Sequence, residues 1–284
     1  MKLISYRRAG AMHIGTLTDD GVVELDAQVP GELGAALLGG ADHHAAARSA
    51  VASKAPRLAL AGLELAPVVP RPGKVICMGL NFFDHAKEAG LDKPAYPMIF
   101  MRGASSLLAH GQPAIRPRLS ETFDFEAELA VVIGKPMRHA SVATALDGVF
   151  GYSCFNDISV REYQRKTTQW TMGKNFDATG AFGPCLVSAD ALPAGAAGLS
   201  IACRLNGAVM QSSTTSDMMW SVADAIALIT ECMTLEPGDV LIMGTPAGVG
   251  AARKPPLWMR HGDQVEVEIE GIGLLANPVL DEAA

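Results

Sequence analysis

The stretch Asp124-Phe125-Glu126-Ala127-Glu128, followed by Leu-Ala-Val-Val-Ile133, constrains this chain more than any other part of it. Alternation that turns into an unbroken apolar run reads as a strand entering a core, and period-two geometry puts Asp124, Glu126 and Glu128 on one face. Three neighbouring carboxylates at the mouth of a buried strand repel one another unless they are protonated, solvated or neutralised by a cation. A hard divalent ion is the economical answer, and a solvated polar strand face is the other. Oxygen ligands without histidine or thiolate favour Mg2+, Mn2+ or Ca2+ over Zn2+. A site that keeps positions open for water or substrate favours the first two. The expected third ligand beside Glu126 and Glu128 is Asp157, where the strand-like stretch 151–155 breaks into a polar loop.

Further strands are expected at 74–78, 98–101, 126–133, 199–205, 240–243 and 265–269, and Asn206-Gly207 is the strongest hairpin signal in the chain. The clearest helix runs from 221 to about 233, with Val222, Ala225, Ile226, Ile229 and Met233 near helical spacing. Such a pattern gives an α+β, mainly β architecture rather than the strict alternation of a doubly wound sheet. A stiff, Pro-rich link at 67–72 separates a small N-terminal α/β unit, residues 1–68, from a larger domain at 73–281. In the small unit, two strands flank Asp19-Asp20-Gly21 and an Ala-rich helical stretch spans 34–55. There His43-His44 has no carboxylate or cysteine neighbours and reads as structural.

A chain of 284 residues with 49% hydrophobic content can bury one large core, and its net charge of -7 leaves no basic excess for nucleic acid. No run approaches the roughly 20 apolar residues of a membrane helix. The start MKLISYRR lacks the apolar centre of a secretory signal, so the expected address is cytoplasmic. The five cysteines are scattered without CxxC pairs and read as small buried hydrophobes.

In Gly79-Leu-Asn-Phe-Phe-Asp-His85-Ala-Lys-Glu88 a strand ends and a short helix is expected to follow, which makes His85 and Glu88 neighbours at i and i+3. The carboxylate can orient the imidazole and raise its basicity for taking a proton from water. A surface helix is the alternative. The glycine-rich run 243–250 lacks the GK[ST] ending of a P-loop, yet could present backbone N–H groups and the Thr245 hydroxyl to an anion.

Together, GLNFFDHAKE, DFEAELAVVIGK, FNDISVREYQ, QWTMGKNFD and TLEPGDVLIMGTPAGVG, in that order over 74–279, resemble the fumarylacetoacetate hydrolase family. The likeness is to its branch of acylpyruvate hydrolases, oxaloacetate decarboxylases and diketo sugar-acid hydrolases. It implies a mixed β-sandwich roll, paired as a homodimer, with Mg2+ or Mn2+ on Glu126, Glu128 and Asp157. By the same resemblance His85 and Glu88 look like a water-activating dyad, and Lys174 like a lysine that reaches the metal-bound substrate. Arg161, Gln164 and Thr245 match positions that contact substrate oxygens.

Arg102 stands where many relatives carry a lysine. It stays charged and binds carboxylate in a fork, so it is expected either to select a substrate with a second carboxylate or several hydroxyls, or to be a surface residue. Phe82 replaces a tyrosine and removes a hydroxyl expected in the pocket wall. The activity the resemblance implies is metal-dependent hydrolysis of a C–C bond in an acylpyruvate or 2,4-dioxo acid, including 2,4-diketo-3-deoxy sugar acids. The alternative is an oxaloacetate decarboxylase or a 2-oxo acid isomerase or hydratase on the same centre.

Overall fold

The computed structural model describes residues 1–26, 32–33, 45, 48–50, 52 and 56–283. His43 and His44, with most of the Ala-rich stretch, lie outside them. At the middle is the strand Ala127–Ile133, every residue of which is buried. Its side chains alternate between two cores: Ala127, Leu129, Val131 and Ile133 join one apolar cluster, Ala130 and Val132 the other. A strand covered on both faces has no use for polar alternation, which is why the run beyond Glu128 is continuously apolar.

This strand pairs antiparallel with Val149–Asp157 on one side and Val240–Ile242 on the other. Val75–Gly79 follows in parallel, and Met98–Arg102 forms the edge. The whole sheet has 12 strands. A second sheet of 5 strands contributes Ile201, Val267, Ile269 and Leu275 to the cluster shared with Leu129. The architecture is therefore the expected mainly β mixed roll. Asn206 and Gly207, with φ of 52° and 79°, make the two-residue hairpin turn between Ser200–Leu205 and Ala208–Thr214. The helix Val222–Cys232 begins at a capping box of Ser221 and Asp224.

Two features differ from the sequence reading. Gly180–Ser188, which is not among the expected strands, is a strand of the main sheet. Lys2–Arg8 pairs with it, Lys2 opposite Val187 and Leu3 opposite Leu186. The strands Ala11–Thr18 and Gly21–Glu24 extend outward from there, so the N-terminal strands belong to the same sheet as the larger region.

Asn81 joins three segments of the larger region. Its Nδ2 donates to the carbonyls of Trp220 (3.1 Å) and Met243 (2.8 Å), and its Oδ1 accepts from the Trp220 N–H (2.9 Å). The residue is fully buried. Asn81→Ala strands a donor and two acceptors without water, and should lower unfolding stability by about 2 kcal/mol or more, read from denaturant midpoints.

Candidate active site

Glu126, Glu128 and Asp157 offer oxygens that all lie within 4.8 Å of one another, and all three are buried. Pairing of adjacent strands brings them there: Ala127 lies opposite Asn156 and Glu128 opposite Phe155, while the Asp157 N–H donates to the Glu126 carbonyl at 2.9 Å. The strand read through Asp124 and Glu126 is broken between them. Phe123–Asp124 instead pairs with Ser159–Val160, and the sheet strand begins at Ala127. Asp124 consequently stands outside the carboxylate trio. It accepts the N–H groups of Gly250 (2.8 Å) and Ala251 (2.9 Å) and the Arg161 Nε (2.8 Å). A side chain at Gly250 would meet the Leu257 carbonyl at 1.9 Å, so only glycine lets the loop come this close.

Cations surround the trio. Lys174 Nζ lies 2.6 Å from both Glu126 Oε2 and Asp157 Oδ2, and an Arg161 nitrogen 2.7 Å from Glu126 Oε1. Burial opposes ionisation of Glu126, but Lys174 and Arg161 outweigh it and hold its carboxyl down at about 2. Glu128 makes no ion pair among the described residues, and Lys174 acts on it only as a weaker opposing influence. Burial, with Asp157 and Glu126 beside it, holds its carboxyl well above the usual range. One Glu128 oxygen accepts the Gly244 N–H at 2.6 Å, and the other has no hydrogen-bond partner among the described residues. Three converging carboxylates with an unpartnered buried oxygen fit a hard divalent cation.

Arg102 is not a substrate contact in this structure, contrary to the expectation from sequence. Its side chain is fully buried, with Nε 2.6 Å from Asp157 Oδ1. The remaining N–H groups go to Ser106, Thr179 and the carbonyls of Lys174, Ile158 and Thr179. With every donor used, it holds Asp157 from behind. Phe82 is also fully buried, and it stands apart from the residues that line the cavity.

The trio forms one wall of a cavity of about 560 Å³, which His85, Glu88, Arg161, Gln164, Lys174 and Thr245 also line. The helix Phe83–Glu88 presents the pair His85 Nδ1 and Glu88 Oε2, 3.0 Å apart. Burial opposes ionisation of Glu88, yet the bonds from His85 and the Gly248 N–H lower its carboxyl. The N–H groups of the glycine-rich loop are taken by the protein's own carboxyl groups: Gly244 donates to Glu128, Ala247 to Asp84 and Gly248 to Glu88. Gln164 Oε1 accepts from Arg161 (2.8 Å) and Thr245 Oγ1 from Gln211 Nε2 (2.8 Å), which leaves the Gln164 amide N–H groups and the Thr245 hydroxyl proton for a ligand.

Sequence reasoning missed Gln211, which is buried and receives the Ala127 N–H at 2.9 Å while donating to Thr245 and the Pro246 carbonyl. A lone amide in a strand was its only trace.

A buried trio of carboxylates and a histidine–glutamate pair line one cavity, a donor set that fits a hard cation beside a pair able to move a proton. The chain belongs to the fumarylacetoacetate hydrolase family: the fumarylacetoacetate (FAA) hydrolase C-terminal domain matches residues 74–280. It is 38% identical over 289 residues to a human mitochondrial oxaloacetate tautomerase, covering 99% of this chain and 92% of that protein. A fumarylacetoacetate hydrolase from the psychrophile Exiguobacterium antarcticum superposes with a TM-score of 0.88 at 33% identity, over 99% of this chain and 100% of that one. The maleylpyruvate hydrolase of Sphingobium sp. SYK-6, solved with manganese(II) and pyruvate, gives 0.85 at 25% identity over 100% of both chains.

Two outcomes follow from the charges. Lys174→Met leaves Glu126 and Asp157 short of a cation, so the metal-free variant should be about 3 kcal/mol less stable, and Mn2+ should raise its melting temperature more than that of the parent protein. Melts with Mn2+ and with EDTA read this. Glu128 must ionise to ligate, so a divalent ion displaces a proton at any pH below the raised value of its carboxyl, and binding weakens as pH falls. Calorimetry of Mn2+ binding at mildly acid pH, in buffers of different ionisation enthalpy, measures that proton. Finding none released would remove the protonated Glu128.

Proposed function

We propose that this chain is a divalent-metal-dependent enzyme acting on a 2-oxo acid, and that its reaction is proton transfer between the enol and keto forms of oxaloacetate or a close 2-oxo dicarboxylate. The observation that carries this reading is the His85–Glu88 pair facing the Glu126, Glu128 and Asp157 centre across one cavity. Near full-length similarity to an oxaloacetate tautomerase supports the choice of reaction.

Glu126, Glu128 and Asp157 would hold Mg2+ or Mn2+, which when bound would supply Lewis-acid polarisation of the ketone. The Gln164 amide and the remaining Arg161 N–H orient the acid's carboxylate. Thr245 donates to a substrate oxygen, and Lys174 steadies the negative oxygen of the enolate. His85 carries the proton that leaves the enol oxygen and reaches C3, while Glu88 on Nδ1 fixes the ring and supports its charged form. The proton count balances within the substrate, so no water is consumed.

A second reading, hydrolytic C–C cleavage of an acylpyruvate or 2,4-dioxo acid, uses the same groups. His85 then deprotonates a water that attacks the distal carbonyl, and the products are pyruvate and a carboxylic acid. A cavity with an apolar side at Leu91, Met98 and Trp170 favours an acyl tail, and so does similarity to maleylpyruvate hydrolase. Assembly as a homodimer belongs to the same proposal. Among the described residues no helix is long and apolar enough to cross a membrane.

The test follows the ultraviolet decay of enol-oxaloacetate with Mn2+ or EDTA, beside pyruvate release from acetylpyruvate. Metal-dependent tautomerisation should fall about 100-fold in His85→Ala and be abolished in Glu126→Ala. Pyruvate release without tautomerisation moves the assignment to the hydrolase, and activity that survives Glu126→Ala overturns both.

A further inference from the structure

Three permanently cationic side chains line the cavity: Arg161, Arg165 and Lys174. Two are already committed. Arg161 serves Asp124, Glu126 and Gln164, and Lys174 bridges Glu126 and Asp157. Arg165 follows the helix Arg161–Gln164, whose last turn receives its backbone N–H, and its exposed guanidinium makes no ion pair or hydrogen bond with any described residue. Nearby cations are directed elsewhere: Lys166 lies 3.5 Å from the Tyr163 ring centroid, and Arg253 donates to the carbonyls of Gly248 and Met210.

An anionic group of the substrate that lies beyond the carboxylate trio therefore has one free cationic partner on the cavity wall. Elsewhere on the wall it meets apolar Leu91 and Met98 or uncharged Gln164, Thr167 and Thr245. A guanidinium fork matches a carboxylate with two parallel N–H bonds.

We propose that Arg165 is a specificity-determining residue that receives the second carboxylate of a dicarboxylic 2-oxo acid, and so selects diacids over monoacids. This rests on the reading that the site acts on 2-oxo acids. Because Arg165 is exposed, its contribution is screened by salt and appears in substrate binding rather than in the chemical step.

The experiment uses Arg165→Met, which keeps the stem, and Arg165→Lys, which keeps the charge without the fork. In Mn2+-loaded protein, KM for enol-oxaloacetate should rise about tenfold in Arg165→Met with kcat little changed, and Arg165→Lys should recover part of the loss. Competition by pyruvate should be unaffected. An equal change for oxaloacetate and pyruvate, or none for oxaloacetate, overturns the proposal. If the parent protein turns over no 2-oxo acid, the functional reading has failed, and Arg165 is judged by calorimetry alone. There the preference for oxaloacetate over pyruvate must vanish in Arg165→Met, and a preserved preference overturns it.

Discussion

Four carboxylates, Asp124, Glu126, Glu128 and Asp157, are buried around one corner of this protein, and the surrounding structure makes their burial tolerable. An unpaired charge in a low-dielectric interior costs far more than a domain's net stability allows. Arg102, Arg161 and Lys174 answer part of that cost, each fixed by hydrogen bonds that leave it little freedom. Backbone N–H groups of the 244–251 loop answer another part. Four negative side chains against three positive ones leave an imbalance, and it falls on Glu128, whose nearest help is the Gly244 N–H. A divalent cation at that point would complete the neutralisation.

The positions of these groups follow from strand pairing rather than from local chain preference. Glu126 and Asp157 are 31 residues apart in sequence, yet they meet because the two antiparallel strands end side by side. The loop that satisfies them needs glycine where it presses on neighbouring backbone. Gly244 has φ of 84° and its Cα faces Asn81, where a methyl group would come within 2.7 Å. Asn81 in turn holds the chain on either side of the dyad helix. Disturbance of this one amide can therefore misplace both His85 and Glu128.

Local patterns carried the central strand, the Asn206-Gly207 hairpin, the capped helix and the carboxylate pair at Glu126 and Glu128, because each has a periodicity or turn chemistry of its own. Partners in space were less legible. Gly180–Ser188 is sheet because Lys2–Arg8 and Val149–Asp157 flank it, and nothing within its glycines announces that. Arg102 carried little signal of its own: it shares with Phe100 the buried face of Met98–Arg102, but Met98, Ile99 and Met101 are apolar too and show no alternation in the sequence. The expectation came from the lysine that relatives carry there, and neither of its outcomes, a substrate contact or a surface position, holds, because the strand sends the side chain into the core. Asp124 was misplaced for a different reason, since strict alternation was extended through Phe125, where the ladder changes partner.

The rigidity of this arrangement divides the labour within the cavity. Glu126, Glu128, Asp157 and Lys174 stand on or beside the paired strands and are nearly inaccessible, so under the proposed function they meet the carboxylate and 2-oxo end of a bound acid. Stabilising an enolate there serves tautomerisation and C–C cleavage alike, because both pass through the same distribution of charge. The sequence of this centre is therefore a poor guide to the choice between them. Selection under that reading falls to groups elsewhere on the cavity wall, such as Leu91, Met98 and Arg165. These are more exposed and less constrained by packing. They can change without unbalancing the buried charges, which lets a scaffold keep its chemistry while its substrate varies.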